Sequence, residues 1–216
     1  MANDLKRKSL NVSLFPEEFQ QFLGEESCAV SSFVHGAKSV LDVGCGEGRA
    51  IPIVAPLVGH YTGIDVDDQR LKLASEYRKD YPNVSIYKMD ACDLVRRFGA
   101  KTHDRSISLF NTIGCVRDPL SVLANMGRTT IDCMFFTVME KGTLPLREKY
   151  YQRLGIDYSI DRSTETICSG VWCESRAYSQ QDIENICSLA GLDIVKSGIF
   201  ANLSRYVIAR PRDEAV

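Results

Sequence analysis

The sequence lacks a long apolar run, metal-type cysteine spacing and an excess of basic charge. Its longest apolar stretch, residues 50–61, is broken by Pro52 and Pro56 and is shorter than the about 20 residues that span a bilayer. None of the eight cysteines forms a C-x-x-C pair and the three histidines are scattered, so no metal site is predicted. The net charge of −2 makes binding to nucleic acid by phosphate neutralisation unlikely.

The first residues, MANDLKRKSLNVS, have no apolar core behind their basic residues, unlike a secretory signal. We therefore expect a cytoplasmic protein with reduced cysteines and no association with a membrane. We predict two parts: an N-terminal leader and cap helix over residues 1–35, and a main domain over residues 36–216 with a cap-like insertion at about residues 140–170. The cap helix is expected over residues 15–23, with Gly24 ending it.

Short apolar strands alternate with helical segments along the main domain. Strands are expected at residues 39–43, 61–66, 84–89, 106–110 and 131–139, followed by two closing strands at 193–195 and 204–209. This alternation predicts βαβ units in an α/β fold. The connection between the closing strands is too short for a crossover helix, so they should pair antiparallel. We predict a seven-stranded, mostly parallel sheet with an antiparallel last strand and helices on both faces.

A glycine-rich turn follows the first predicted strand. Alternating glycines in GCGEG, residues 44–48, allow a ligand to lie against the backbone, where no Cβ intrudes. A dinucleotide fingerprint would need its third glycine where Arg49 stands, so that site fits poorly. Asp42, just before the turn, suits a cationic ligand better than a pyrophosphate.

Two further carboxylates follow the next two predicted strands. Asp65 is placed to accept hydrogen bonds from ribose hydroxyls. Asp90 is placed to accept from an adenine amino group, with Ala91 and Cys92 against the ring. Either carboxylate alone is more often a helix cap or a solvated residue, but the two together, each at the carboxyl end of a strand beside the switch point, form a specific constellation.

These motifs resemble those of the class I S-adenosylmethionine-dependent methyltransferases. The matching segments are VLDVGCGEGR, GIDVD, MDACDL, HDRSISLFNTIG and the closing YSQQDIENICSLAGLDIV. The resemblance implies a Rossmann-like class I fold and S-adenosylmethionine as the cofactor. The cofactor-binding residues that it implies are Asp42, Gly44, Cys45, Gly46, Gly48, Asp65, Val66, Asp90, Ala91, Cys92, Asn111 and Thr112.

The segment after the fourth strand reduces the number of possible classes of methyl acceptor. The family's enzymes that methylate exocyclic base nitrogens or glutamine amides carry an Asn/Asp-Pro-Pro-Tyr/Phe tetrapeptide there, whereas residues 111–114 read Asn-Thr-Ile-Gly. Together with the tyrosine-bearing insertion, this resembles enzymes that methylate a nitrogen or oxygen atom of a small molecule. The proposed acceptor-binding residues are Phe19, Glu140, Tyr150, Tyr151, Glu174 and Arg176.

Several alternatives stay open at this point. The phenylalanine stripe of the cap helix is also typical of a core, and Glu174 and Arg176 are spaced to pair with each other. The chain could methylate RNA or protein, or it could bind S-adenosylmethionine without catalysis. No residue is assigned as catalytic, and a monomer or a homodimer is expected.

Overall fold

The computed structural model describes residues 12–170 and 173–212. Residues 1–11, 171–172 and 213–216, which include most of the predicted N-terminal leader, therefore lie outside the described residues. The strands are β1 (Ser39–Val43), β2 (His60–Asp65), β3 (Val84–Lys88), β4 (His103–Ser108), β5 (Thr130–Glu140), β6 (Tyr158–Asp161), β7 (Thr166–Ser169), β8 (Ala177–Tyr178), β9 (Leu192–Phe200) and β10 (Ser204–Pro211). The helices are α1 (Glu17–Val34), α2 (Ile51–Val54), α3 (Asp68–Glu76), α4 (Leu94–Phe98), α5 (Thr112–Cys115), α6 (Pro119–Thr129), α7 (Leu144–Leu154) and α8 (Gln180–Leu189).

The main sheet has the strand order β3-β2-β1-β4-β5-β10-β9. Strands β1 to β5 pair in parallel, and β10 is antiparallel to both β5 and β9. The predicted α/β fold with an antiparallel last strand is thus confirmed, with the short β8 added beside the end of β5. The strand order reverses at β1, between β2 and β4, and open α/β sheets bind ligands at the carboxyl ends of strands at such a point.

Both faces of the sheet are buried, as predicted. Alternate residues of β1 enter different cores: Leu41 and Val43 pack in one apolar cluster with Phe136, whereas Val40 packs in another with Phe135. This follows from the two-residue period of a strand. Because its neighbours on both sides are packed, the carboxyl end of β1 is held rigidly.

The prediction that Gly24 ends the first helix is wrong. Helix α1 continues to Val34 because its apolar stripe continues, with Val30 and Val34 fully buried. A glycine inside a helix costs about 1 kcal/mol relative to alanine, and the burial of one such side chain offsets that cost. Gly24 itself is exposed, with no atom near its missing Cβ.

The insertion after β5 folds into α7 and the antiparallel hairpin of β6 and β7. A third apolar cluster joins this insertion to α1, through Phe19, Tyr150 and Ile167 among others. Polar contacts link the same two helices, since Lys149 Nζ lies 3.1 Å from a Glu18 carboxylate oxygen. The cap helix and the insertion therefore pack together over one end of the sheet. The domain boundaries themselves stay a prediction.

In the part of the chain that the structure describes, no helix is both long enough and apolar enough to cross a membrane.

Candidate active site

A cavity of about 450 Å³ lies between the glycine turn, the loop after β4 and the cluster of α1 and α7. Nine of the predicted site residues line it: Phe19, Asp42, Gly44, Cys45, Gly46, Asn111, Thr112, Tyr150 and Tyr151. They come from both the predicted cofactor set and the predicted acceptor set. The cavity is therefore one space that both sets of residues share.

The three glycines of the turn have different surroundings, although all have positive φ. A Cβ on Gly44 would overlap the Thr112 side chain, and one on Gly48 would lie 2.6 Å from Ile51 Cδ1. A Cβ on Gly46 would meet only the Arg70 guanidinium, at 3.8 Å. Gly44 and Gly48 thus allow close packing of the chain, whereas Gly46 presents bare backbone to the cavity.

Asp42 is a buried carboxylate in the cavity wall, 1% exposed. Its Oδ2 accepts a hydrogen bond from the Tyr61 hydroxyl at 2.5 Å, while Oδ1 has no partner among the described residues. Burial raises the pKa of Asp42 to about 7, although the Tyr61 hydrogen bond and the nearby Arg49 act to lower it. An unpartnered buried acceptor of this kind favours a cationic ligand group.

Asp65 does not line the cavity but supports the turn from β2. Its Oδ2 accepts from the Gly46 amide at 3.0 Å and its Oδ1 from the Asp67 amide at 2.9 Å. A carboxylate offers about four lone-pair sites, so it can still accept hydrogen bonds from a ligand. Its predicted contact with ribose stays a prediction.

Two further residues of the predicted cofactor set, Val66 and Asp90, line a second, more open cavity near the ends of β2 and β3. Asp90 also caps the following turn by accepting from the Cys92 amide at 2.8 Å. Cys92 is exposed. Ala91 differs from the expectation: it packs in the core with Leu94, because the cap turns the chain into a 3-10 helix at that residue.

The loop after β4 is held in a left-handed conformation at Phe110 and Asn111. The Asn111 side chain accepts from the Met139 amide at 2.9 Å and donates to Ser175 Oγ at 3.0 Å. Gly114 leaves the space that the Asn111 amide occupies. Asn111 therefore connects this loop to β5 and to the segment before β8, besides lining the cavity.

Glu26 is a site-forming residue that the sequence reasoning missed. It is fully buried in α1 and accepts from the Phe110 amide at 3.0 Å and from Thr137 Oγ1 at 2.6 Å. It also forms a 2.5 Å ion pair with Arg49, whose guanidinium lies 5.8 Å from the centre of the Phe110 ring. Glu26 thus fixes the cavity wall from the side of α1.

Aromatic rings from three segments form the far wall of the cavity. The rings of Phe19 and Tyr150 stack at 4.5 Å, and Phe15 meets Tyr150 edge-on at 4.9 Å. Phe22 stacks on Phe110 at 5.8 Å. Burial raises the pKa of Tyr150 and of Tyr151, so both hydroxyls keep their protons at neutral pH.

Three of the predicted acceptor-binding residues lie outside the cavity lining. Glu140 is engaged by Arg205 through two contacts of 2.7 and 2.8 Å. Glu174 and Arg176 form an ion pair at 3.3 Å, which is the alternative that their spacing left open. Their role in binding an acceptor stays a prediction without a contact to support it. Over residues 12–170 and 173–212, no group of three or more potential metal ligands occurs.

Arg147 is the second residue that the sequence reasoning missed. It lines the cavity from α7 and is 1% exposed. Its guanidinium donates to the Glu165 carbonyl at 2.7 Å, to the Ser175 carbonyl and to Ser175 Oγ at 3.2 Å. Its Nε has no hydrogen-bond partner in the described structure.

The sheet order, the glycine turn and the cavity at the switch point define a Rossmann-like α/β fold. Residues 40–130 match the family described as "Methyltransferase domain". The resemblance to class I S-adenosylmethionine-dependent methyltransferases, seen in the sequence motifs, is thereby confirmed. The match includes the turn and both carboxylates, Asp65 and Asp90.

Comparison with individual proteins agrees with this family. The chain is 35% identical over 72 residues to "Putative methyltransferase 235L" of Invertebrate iridescent virus 6, a match covering 32% of this chain and 26% of the viral protein. The chain thus spans about a quarter of that relative. A crystal structure of a Pyrococcus horikoshii protein has a TM-score of 0.73 at 18% identity, covering 92% of this chain and 93% of that chain.

A second structure is that of 1,6-didemethyltoxoflavin-N1-methyltransferase from Burkholderia thailandensis, with bound 1,6-didemethyltoxoflavin and S-adenosylhomocysteine. It has a TM-score of 0.65 at 14% identity and covers 87% of this chain and 78% of that chain. At such identities the likeness confirms the fold.

Proposed function

We propose that this protein is an enzyme that transfers a methyl group from S-adenosylmethionine to a nitrogen or oxygen atom of a small molecule. One observation carries the proposal: a single cavity reaches from the bare backbone of Gly46 to the aromatic wall around Tyr150. Its volume of about 450 Å³ lies in the range of pockets that take small molecules. A polymer would need an extended groove instead.

The residues around the turn fit the cofactor. The unpartnered Asp42 Oδ1 would accept from the cofactor's ammonium group, and the open side of Gly46 would lie against its methionine and ribose part. Asp65 with Val66 would hold the ribose, and Asp90 would lie at the adenine. Thr112 lines the same cavity and would lie at the methionine end.

When bound, S-adenosylmethionine would supply an activated methyl group: the acceptor's lone pair would bond to the methyl carbon as the C–S bond breaks with its electrons going to sulfur, and a proton carried by the acceptor atom would pass to solvent water. Because the methyl group is already activated, the enzyme has mainly to align the acceptor with it and to exclude water from the site, rather than to supply an acid or a base. The aromatic wall of Phe19, Phe110 and Tyr150 would orient the acceptor and keep water out. The protonated hydroxyl of Tyr151 would donate a hydrogen bond to the methyl acceptor.

The bound ligands of the Burkholderia enzyme support the small-molecule proposal by analogy, because that enzyme of the same fold is named for methylation of a nitrogen atom of a small molecule. Location in the cytoplasm and a monomeric or homodimeric state stay predictions.

The proposal is tested with S-adenosylmethionine that carries tritium in its methyl group. The protein is incubated with cell extract separated into small molecules, RNA and protein, and label is counted in each fraction. Enzyme-dependent label should appear among the small molecules. Label confined to RNA or protein would refute the proposed acceptor class. Tight binding of S-adenosylhomocysteine without label in any fraction would instead favour a binding protein.

A further inference from the structure

The proposed acceptor site contains a buried arginine that forms no ion pair in the described part of the chain. Three arginines line the cavity: Arg49, Arg70 and Arg147. Arg49 pairs with Glu26 at 2.5 Å, and Arg70 lies 3.5 Å from a Glu47 carboxylate oxygen. Within residues 12–170 and 173–212, Arg147 contacts only neutral oxygens.

Arg147 is also the most buried of the three, at 1% exposure. A guanidinium has five N–H groups, and the three hydrogen bonds to Glu165 and Ser175 leave Nε unpartnered. A buried charge without a counter-ion is unfavourable. Burial lowers the pKa of Arg147 and the nearby Glu165 carboxylate acts to raise it. That carboxylate accepts from the Gly142 amide at 3.0 and 2.9 Å and forms no ion pair with Arg147 in the described structure.

The surroundings of Arg147 hold the guanidinium in place. The carbonyl of Glu165 lies just before β7 and the carbonyl of Ser175 just before β8, so backbone from both sides of the insertion fixes it. Tyr150 and Tyr151 lie beside it on α7 and line the same cavity. A fixed cation next to aromatic walls matches a flat ligand that carries an anionic group. A planar carboxylate has the geometry that a guanidinium binds through two parallel hydrogen bonds.

We propose that the methyl acceptor is a small carboxylic acid with an aromatic or flat apolar body, and that Arg147 binds its carboxylate. The proposal rests on the proposed function and specifies the acceptor of that same site. Donor and acceptor ends of the cavity then have opposite charge preferences, with Asp42 selecting a cation and Arg147 an anion.

The test uses benzoate and benzamide as probes, because they share a ring and differ in charge. Each is titrated by calorimetry into protein saturated with S-adenosylhomocysteine, so that the donor site is already filled. We expect benzoate to bind at least about tenfold more tightly than benzamide, which corresponds to about 1.4 kcal/mol. Arg147→Met should abolish this preference. Arg162→Met, which removes the same charge from a side chain that is 72% exposed, should retain it.

Equal affinity of the wild-type protein for the two probes would overturn the proposal, and this comparison requires no variant to fold. A preference that survives in folded Arg147→Met would also overturn it. So would a tenfold loss of S-adenosylhomocysteine affinity in that variant, since Arg147 would then serve the carboxylate of the donor. Failure of the wild-type protein to bind S-adenosylhomocysteine at all would instead count against the proposed function.

Discussion

Replacing Asp42 with asparagine should stabilise the ligand-free protein at alkaline pH and weaken its binding of the cofactor product. Asp42 is 1% exposed, with one oxygen bonded to Tyr61 and the other unpartnered in the described structure. Burial therefore raises its pKa from the ordinary 3.8 to about 7. Asparagine has nearly the same shape and no charge, so Asp42→Asn removes the cost of burying a carboxylate.

The size of the effect follows from the two pKa values. Between pH 3.8 and about 7 the folded protein keeps a proton on Asp42 that the unfolded chain has lost, so the free energy of unfolding falls as pH rises and levels off above pH 7. At about 1.36 kcal/mol for each pH unit, the full loss is about 4 kcal/mol. Roughly 3 kcal/mol of it falls between pH 5 and pH 8.

Urea unfolding at pH 5 and pH 8 measures this difference directly. Wild-type protein should lose about 3 kcal/mol more stability between these pH values than Asp42→Asn. A constant offset of about 1–3 kcal/mol is expected in the variant because its amide N–H groups are buried, but this offset does not change with pH. Asp68→Asn, at an exposed ion pair with Lys88, is the control and should follow the wild-type curve.

Calorimetry with S-adenosylhomocysteine provides the second half of the test. Affinity of the wild-type protein should rise from pH 6 to pH 8 as Asp42 ionises, whereas that of Asp42→Asn should be lower by about 1.5–3 kcal/mol at pH 8 and nearly independent of pH. Parallel unfolding curves for the two proteins, or unchanged affinity in the variant, would refute the assignment of Asp42 as a buried, strained ligand for an ammonium group.

The other predictions concern the turn and its support. Gly46→Val should abolish binding of S-adenosylhomocysteine while the protein stays folded, because the side chain would enter the cavity at a positive φ. Gly24→Val, in open space on α1, should bind normally. Wild-type affinity in Gly46→Val would refute the proposal that the cofactor lies against the bare backbone of Gly46. Asp65→Ala should weaken binding by about 1.5–3 kcal/mol. Because Asp65 also holds the Gly46 amide, calorimetry should include a 2′,3′-dideoxy analogue: a loss as large for the analogue as for S-adenosylhomocysteine would show that Asp65 acts on the turn and not on ribose.

The sheet could be predicted because its signals are local. Each of β1 to β5 is a short apolar run, and a helical segment between two consecutive strands indicates a parallel crossover connection. The antiparallel pairing of β10 with β9 followed from the connection between the two expected closing strands, at 193–195 and 204–209, which is too short for a crossover helix. The end of α1 could not be predicted in the same way: Gly24 is a local stop signal, and it was overridden by the burial of Val30 and Val34 against the sheet.

The two halves of the cavity also differ in whether their signals are local in the sequence. The glycine turn and Asp42 are contiguous in the sequence, so their spacing alone identified them. The acceptor half depends on contacts between distant segments, such as the stacking of Phe19 on Tyr150 and the hydrogen bond from Thr137 to Glu26. No sequence pattern shows which face of α7 will contact α1. Nor does the sequence show that Glu140 pairs with Arg205, which is why Glu140 was wrongly expected to line the cavity.

The two residues missed in the cavity wall share a signal that the sequence did contain. Glu26 and Arg147 each occupy a position in the apolar stripe of a helix, where a charged side chain is out of place unless it is paired or binds a ligand. Glu26 finds its counter-ion within the chain, in Arg49. Arg147, at the equivalent kind of position in α7, meets only carbonyl and hydroxyl oxygens among the described residues. The same local pattern thus gives an ion pair at Glu26 but none at Arg147. We therefore expect the methyl acceptor to carry the negative charge that pairs with Arg147.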